Sequence, residues 1–332
     1  MSLRVRQPGL LTTVQDLGRV GHQRDGVPVS GAMDPLALRV ANLLVGNDER
    51  DAALEITLTG PTIVFEGDAL VAITGADLSA TLDDARLPAW RAIRVPSGAT
   101  LAFGAVRVGC RAYLAVAGGI DVPPVLGSRS TYVRAGFGGV DGRALRRGDV
   151  VSSGAPSALA ERIAVSLTHA DGRAGVARWS VGAKLRPAYA DEAVVRLIAG
   201  AHAAALTDAS RAALHQATFR VSSRSDRMGY RLEGPSLELA EPLELLSEPV
   251  AFGTVQLPPG GCPIVLMADR QTTGGYPRIG EVATIDLPLL AQLKPGDRVR
   301  FAPISLEEAQ ALYVEREREI AGVRQSIVLR YR

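Results

Sequence analysis

The chain has 332 residues, 47% hydrophobic, 22% charged and only 5% aromatic, the make-up of a globular protein of about two domains. Its formal charge is +2, its lysines are Lys184 and Lys294 alone, and its densest basic run is the turn-like 143–149 stretch, so it lacks the broad basic face and stacking aromatics of a nucleic-acid binder. The opening "MSLRVRQPGL" has no signal-peptide core and no apolar run reaches a membrane span, which predicts a cytoplasmic chain with neither nucleic acid nor membrane as partner.

Thirty-five glycines and twenty prolines divide the chain into short pieces, hence strands more than long helices. The first helix signal is "MDPLALRVANLLVGN", with Asp34 as N-cap, Pro35 at the first helical position and Gly46 as stop. "PTIVFEG", "ALVAITG", "TLAFGA" and "RAYLAVAGG" then alternate or run apolar between turn residues, as strands do. Further on, "TDASRAALHQA" and "DLPLLAQL" predict short helices on either side of the strand-like "PIVLMAD". "SLEEAQALYVEREREIAGVRQ" predicts a longer helix opened by a Ser305–Glu308 capping box. Cys110 and Cys262 both sit in apolar strand-like runs and read as buried free thiols.

Three faint echoes recur in the same order in both halves. "TGPTIVF" resembles "EGPSLEL", "RAYLAVAGG" resembles "PIVLMADRQTTGGY", and "LRRGDVV" resembles "LKPGDRV". Their order predicts a duplicated β unit. The expected organisation is mainly β: one β-barrel domain over 1–155, a linker over 156–184, a second barrel over 185–304, and a C-terminal helix and tail over 305–332.

Several catalytic devices are missing from the sequence. There is no G-x-x-x-x-G-K-[ST] phosphate loop and no G-x-S-x-G nucleophile elbow, and His22, His169, His202 and His215 lack partners at metal-ligand spacing. Polar clusters at turns are what remains. In "TTVQDLGRVGHQRDGVPVSGAMD", Gln15, Asp16 and Arg19 offer an amide, a carboxylate and a guanidinium, and Ser30 leads into a helix N-terminus whose free N–H groups favour an anion or carbonyl oxygen. An Asp16–Arg19 ion pair bracing a loop explains the same residues. In "SSRSDRMGYRLEGP", Asp226 and Arg227 suit a carboxylate clamp, or a hairpin with charges in water. Gln256 and the run Gln271, Thr272, Thr273, Gly274, Gly275 and Tyr276 suit a neutral amide or lactam, or a turn network.

Taken together, these clusters resemble one family, the C subunit of 5-oxoprolinase, also described as allophanate hydrolase subunit 2 or biotin-dependent carboxyltransferase-like proteins. "GLLTTVQDLGRVGHQRDGVPVSGAMD", "ANLLVGN", "ALEITLTGP", "SDRMGYRLEGP", "SEPVAFGTVQLPPGGCPIVLMADRQTTGGYPRIG" and "LKPGDRVRF" carry the resemblance, which spans residues 9–301. It implies two tandem cyclophilin-like β-barrels and a part, beside the A and B components of the same enzyme, in ATP-dependent opening of 5-oxoproline to L-glutamate. It implies a direct complex with the B component, no biotin on this chain, and ATP shared with or bound on a companion polypeptide. The chemistry then assigns Gln271, Thr272, Asp16 and Arg19 to catalysis. Gln15, Ser30, Asp226, Arg227, Gln256, Thr273, Gly274, Gly275 and Tyr276 are assigned to the substrate. A regulatory partner that antagonises a kinase inhibitor, and a carboxyltransferase module acting on urea or a related amide, are the alternatives.

Overall fold

The structure, a computed structural model, describes residues 1–169 and 173–332. They fall into two compact units: Met1–Arg19, Ser30–Pro187 and Arg318–Arg332 form the first, and Val20–Val29 with Ala188–Glu317 form the second. The 156–184 stretch, expected as a linker, is grouped with the first unit and contains a helix. The C-terminal helix expected over 305–332 begins in the second unit and ends in the first.

In the first unit the strands are β1 (Ser2–Gln7), β2 (Leu11–Gln15), β3 (Ala53–Thr57), β4 (Thr62–Phe65), β5 (Ala69–Asp77) and β6 (Thr81–Leu82). They continue with β7 (Ala85–Arg86), β8 (Ala92–Val95), β9 (Thr100–Ala102), β10 (Val108–Val116), β11 (Val150–Ser152) and β12 (Gly175–Val176). These make two six-stranded sheets, ordered β11-β1-β4-β9-β6-β7 and β12-β8-β5-β10-β3-β2. Strand alternation decides what each face carries. Val14 of β2, Leu54 and Ile56 of β3, Val71 and Ile73 of β5, and Ala112, Leu114 and Val116 of β10 enter one apolar core with Leu3, Ile63 and Leu101 of the other sheet. The intervening residues Thr13, Gln15, Glu55, Thr74 and Tyr113 therefore share the opposite face, and they are buried too. Registers Thr13↔Glu55, Glu55↔Tyr113 and Tyr113↔Thr74 align them across the sheet.

Helix α1 (Pro35–Leu44) lies over that polar face, and Thr74 donates to the Ala37 carbonyl at 2.6 Å. Its ends follow the sequence signals: Asp34 accepts from the Ala37 N–H, Pro35 opens the helix, and Gly46 has φ +74°. Helix α2 (Ala158–Ser166), which the sequence reading missed, is capped by Ser157. Its first turn falls in a stretch of small residues, where helical periodicity is faint.

The second unit holds β13 (Glu192–Ala199), β14 (Phe219–Val221), β15 (Gly229–Glu233), β16 (Glu248–Pro249) and β17 (Thr254–Gln256). β18 (Ile264–Leu266), β19 (Thr273–Gly274), β20 (Arg278–Val282) and β21 (Arg298–Pro303) follow. Seven of them close a barrel in the order β13-β20-β17-β18-β15-β14-β21, and β16 and β19 form a separate ribbon. Phe219 and Phe301 pack 5.9 Å apart, and with Val195, Val255, Val265 and Val299 they are fully buried. Helices α3 (Asp208–Gln216) and α4 (Leu287–Ala291) lie where the sequence placed them. At α4, however, Asp286 makes no capping bond, because its carboxylate is taken by the Arg196 guanidinium at 2.6 and 2.8 Å.

Helix α5 (Leu306–Arg330) opens on the expected box: the Ser305 N–H donates to Glu308 and the Glu308 N–H to Ser305, both at 3.1 Å. Its end is tied into the first unit. Ile320 and Ile327 are buried, Arg324 pairs with Glu49, and the Tyr331 hydroxyl accepts from Trp179 at 2.8 Å.

The third echo is reproduced hydrogen bond for hydrogen bond. In the first unit Gly148 donates to the Val5 carbonyl and the Val5 N–H to Asp149. In the second, Gly296 donates to Val221 and Val221 to Asp297. Each aspartate also accepts from the N–H three residues before it, at Arg146 and Lys294, and binds a cation at 2.7 Å, Arg143 or Lys294. Both glycines have φ above +90°, a conformation open to glycine at little cost. The second echo is looser, since Gly118 and Gly119 have positive φ and Gly274 belongs to a strand. Neither cysteine is in a disulfide, and Cys110 is buried in β10 as expected; Cys262 is exposed, because it lies in the turn before β18 and outside the apolar run that follows.

Candidate functional site

The expected residues gather into two groups, one in each unit. In the first unit, Gln15 ends β2 on the polar face. Its amide nitrogen donates to Thr13 Oγ1 at 3.1 Å and to the Thr131 carbonyl at 3.2 Å. A carbonyl only accepts, so this contact fixes the amide orientation and turns Oε1 away. Among the described residues, Gln15 Oε1 has no hydrogen-bond partner although Gln15 is fully buried.

Asp16 is saturated. Its carboxylate accepts from Ser128 at 2.6 Å, from Ser130, from the Arg129 N–H at 2.6 Å and from the Gly18 N–H at 2.8 Å. Such a carboxylate orders the loop at 128–131 and orients its neighbours. Arg19, 1% exposed, donates to the Ser130 carbonyl and lies 4.8 Å over the Phe137 ring. The sequence reading missed Ser128, Ser130, Thr131 and Phe137. The run "SRST" is polar and ordinary by itself, and only the fold brings it beside β2.

Ser30 is 5% exposed, has φ +56°, and among the described residues its hydroxyl also lacks a hydrogen-bond partner. The helix start beyond it differs from expectation. Ala32 N–H donates to the Asp16 carbonyl at 2.9 Å, Met33 N–H to Glu55 at 2.9 Å, and Asp34 N–H to the Tyr113 hydroxyl at 2.8 Å. Tyr113 in turn donates to Glu55 at 2.7 Å. Burial, then the Glu55 and Asp34 charges, push the Tyr113 phenol well up, so it stays a neutral donor. These N–H groups are thus spent within the fold and bind no external anion.

In the second unit, alternation along β17 puts Thr254 and Gln256 on one face, away from the barrel-core Val255. Gln271 donates to Gln256 Oε1 at 3.4 Å, and Gln256 donates to the Tyr276 carbonyl at 3.5 Å. Gly274 allows this approach: a Cβ there would lie 2.4 Å from Gln256 Nε2. Thr272 receives the Val250 N–H on its carbonyl, and Thr273 and Gly274 pair with β16, so Thr273, Gly275 and the Tyr276 ring stand at the surface.

Arg227 is buried, and its guanidinium grips the buried Asp269 in a fork at 2.8 and 3.0 Å. Expected to hold substrate, it instead anchors the turn that carries Gln271. Asp226, exposed, caps the Met228 and Gly229 N–H groups. Beside the amides stands Glu281, a residue absent from the expected set. Thr254 donates to it at 2.8 Å, and burial raises its carboxyl, offset by that hydrogen bond and by Arg278 and Arg270. Desolvation in turn lowers the Arg270 guanidinium. Among the described residues, no group of three or more His, Cys, Asp or Glu is placed to hold a metal ion, and no helix is long and apolar enough to cross a membrane.

Residues 25–303 match the carboxyltransferase domain family, subdomains A and B. The chain belongs to that family. It is 42% identical over 317 residues to the C subunit of 5-oxoprolinase from Escherichia coli, covering 92% of this chain and 93% of that one. With the C subunit of 5-oxoprolinase from Haemophilus influenzae it shares 38% over 315 residues, 95% of each. The urea amidolyase of Saccharomyces cerevisiae is 33% identical over 94% of this chain, which spans only 17% of that protein. Among solved structures, the Kluyveromyces lactis urea amidolyase superposes with a TM-score of 0.87 at 32% identity, over 97% of this chain and 20% of that one. The mainly β fold with few helices agrees with that neighbour.

Proposed function

We propose that this chain is the component of an ATP-dependent 5-oxoprolinase that helps to hold the lactam while the companion A and B components complete the reaction. One observation carries the reading: among the described residues, Gln15 Oε1 and Ser30 Oγ are buried polar atoms without a hydrogen-bond partner, on adjoining segments of the first unit. Native folds leave few such groups idle, and a ligand is the ordinary reason. The idle acceptor of Gln15 suits a lactam N–H, and the Ser30 hydroxyl suits the ring carbonyl. Relatives that carry the 5-oxoprolinase name over nearly the full length support the substrate.

Opening a lactam needs its amide resonance broken, and phosphorylation of the ring oxygen is the chemistry ATP supplies when bound. The guanidinium groups expected to take phosphate do not fit that task here, since Arg227 is forked onto Asp269 and Arg19 is turned to Ser130 and Phe137. We place ATP on the companion components. The test is co-expression with the B-component homologue, gel filtration, and phosphate release once the A-component homologue is added. Gln15→Ala and Ser30→Ala should each raise KM for 5-oxoproline about tenfold, a lost hydrogen bond's worth. Full activity of this chain alone, or a wild-type KM in the double variant, would refute the reading.

A second reading is carboxyl transfer to urea or a related amide, favoured by the 0.87 TM-score with urea amidolyase. It requires biotin on another polypeptide, and turnover of urea with a biotinylated carrier would establish it in place of the first.

A further inference from the structure

A cavity of about 260 Å3 opens in the first unit beside the end of β5. Ile73, Leu78, Leu87 and Trp90 supply apolar walls, and Asp77 and Arg86 also line it. None of these side chains belongs to the Gln15 or Gln256 groups. An apolar cavity of about 150 Å3 takes benzene, so this one suits a bicyclic ring.

The backbone around it is bent to an unusual degree. Gly75, Ser79, Asp83, Asp84 and Trp90 all have positive φ. For Asp83 and Asp84, the tight β6–β7 hairpin demands it. Trp90 is another matter, because at φ +62° a bulky side chain is a true outlier. Its N–H donates to the Ile73 carbonyl at 2.7 Å and the residue is 7% exposed, so the indole is held as a fixed wall. Strain of this kind persists where the surroundings enforce it, and it concentrates at ligand sites.

The charges narrow the ligand class. Arg86 donates to Asp77 at 3.0 Å, and the other Asp77 oxygen accepts the Ser79 N–H at 2.9 Å. The pair is neutral overall, so the cavity has no surplus charge to recruit an anion, yet Arg86 keeps further N–H groups for an acceptor. We propose that this cavity binds a neutral, flat, bicycle-sized heterocycle, a purine base being the type, against Trp90 with a ring acceptor toward Arg86. The proposal is independent of the amide-holding reading above.

The chain has two tryptophans, so Trp179→Phe leaves Trp90 as the sole indole fluorophore. Titration of that variant with adenosine should give a saturable quench. Adenosine 5′-monophosphate should bind no tighter than adenosine, and Arg86→Ala should weaken adenosine about tenfold. Ligand-detected NMR on the unsubstituted chain should return the same Kd, which covers any loss of folding in the Trp179 variant. No saturable response by either method, much tighter binding of the monophosphate, or an unchanged Kd in Arg86→Ala would overturn the proposal.

Discussion

Asp269→Asn is the sharpest probe of how the second unit is held. The Asp269 carboxylate and the Arg227 guanidinium share two hydrogen bonds at 2.8 and 3.0 Å, with side chains 8% and 9% exposed. Removing the charge from one partner leaves the other buried without its opposite charge, which costs about 3–5 kcal/mol, a large share of a typical total of about 5–15. Replacing both by apolar residues of similar volume removes the two charges together. Arg227→Met with Asp269→Leu should therefore cost clearly less than the two single changes added together. Urea unfolding of the wild type, both single variants and the double variant gives the coupling directly. A single variant that loses under about 1 kcal/mol, or a double that equals the sum of the singles, would show that the pair is not the anchor its geometry describes.

Gly274→Ala should leave the chain folded but cost about 1–3 kcal/mol, since the new Cβ meets the far end of the Gln256 side chain, 2.4 Å away, and pushes the amide aside; the denaturant midpoint reads the loss. Gly148→Ala and Gly296→Ala should each cost about 1 kcal/mol or more, and by similar amounts, because the two turns share one hydrogen-bond circuit and nearly the same φ; denaturant midpoints will compare them. Glu281→Gln should stabilise the chain at neutral pH. Burial raises the Glu281 carboxyl above its ordinary 4.5, so the native state holds that proton more tightly than the unfolded chain. The stability it contributes is present below that value and is lost as pH rises through the raised one. Unfolding midpoints from acid to neutral pH should fall less steeply in Glu281→Gln than in the wild type, and parallel curves would remove Glu281 as the titrating group.

The features legible in the sequence are those written in local chemistry. Asp34, Pro35 and Gly46 bracket α1, Ser305 and Glu308 open α5, and the Gly-Asp pairs mark the repeated turn. Long-range pairing stays hidden. Nothing near Arg227 in the chain announces Asp269, 42 residues on, and nothing beside Asp16 announces Ser128 and Ser130, more than 110 residues away. The same blindness makes Arg227 read as a free clamp and the α1 N-terminus as an open anion site, because Asp269, Glu55 and Tyr113 reach them only through the fold. Gln256 and Gln271 are legible as a pair by residue type, yet the role of Gly274 in letting them meet needs the backbone.

The first unit is discontinuous: residues 318–332 complete it, and the whole second unit intervenes in sequence between them and the rest. On the ribosome, β1 to β12 emerge long before Ile320, Ile327 and Tyr331, so the seat around Trp179 and Glu49 stays open while the second barrel is made. The second unit, contiguous apart from residues 20–29, can finish most of its barrel first. Vectorial synthesis therefore reverses the usual order, with the unit begun first being finished last. An expression boundary placed before residue 318 strips the first unit of its closing segment, while a circular permutation that joins 318–332 ahead of β1 would let it fold in one pass.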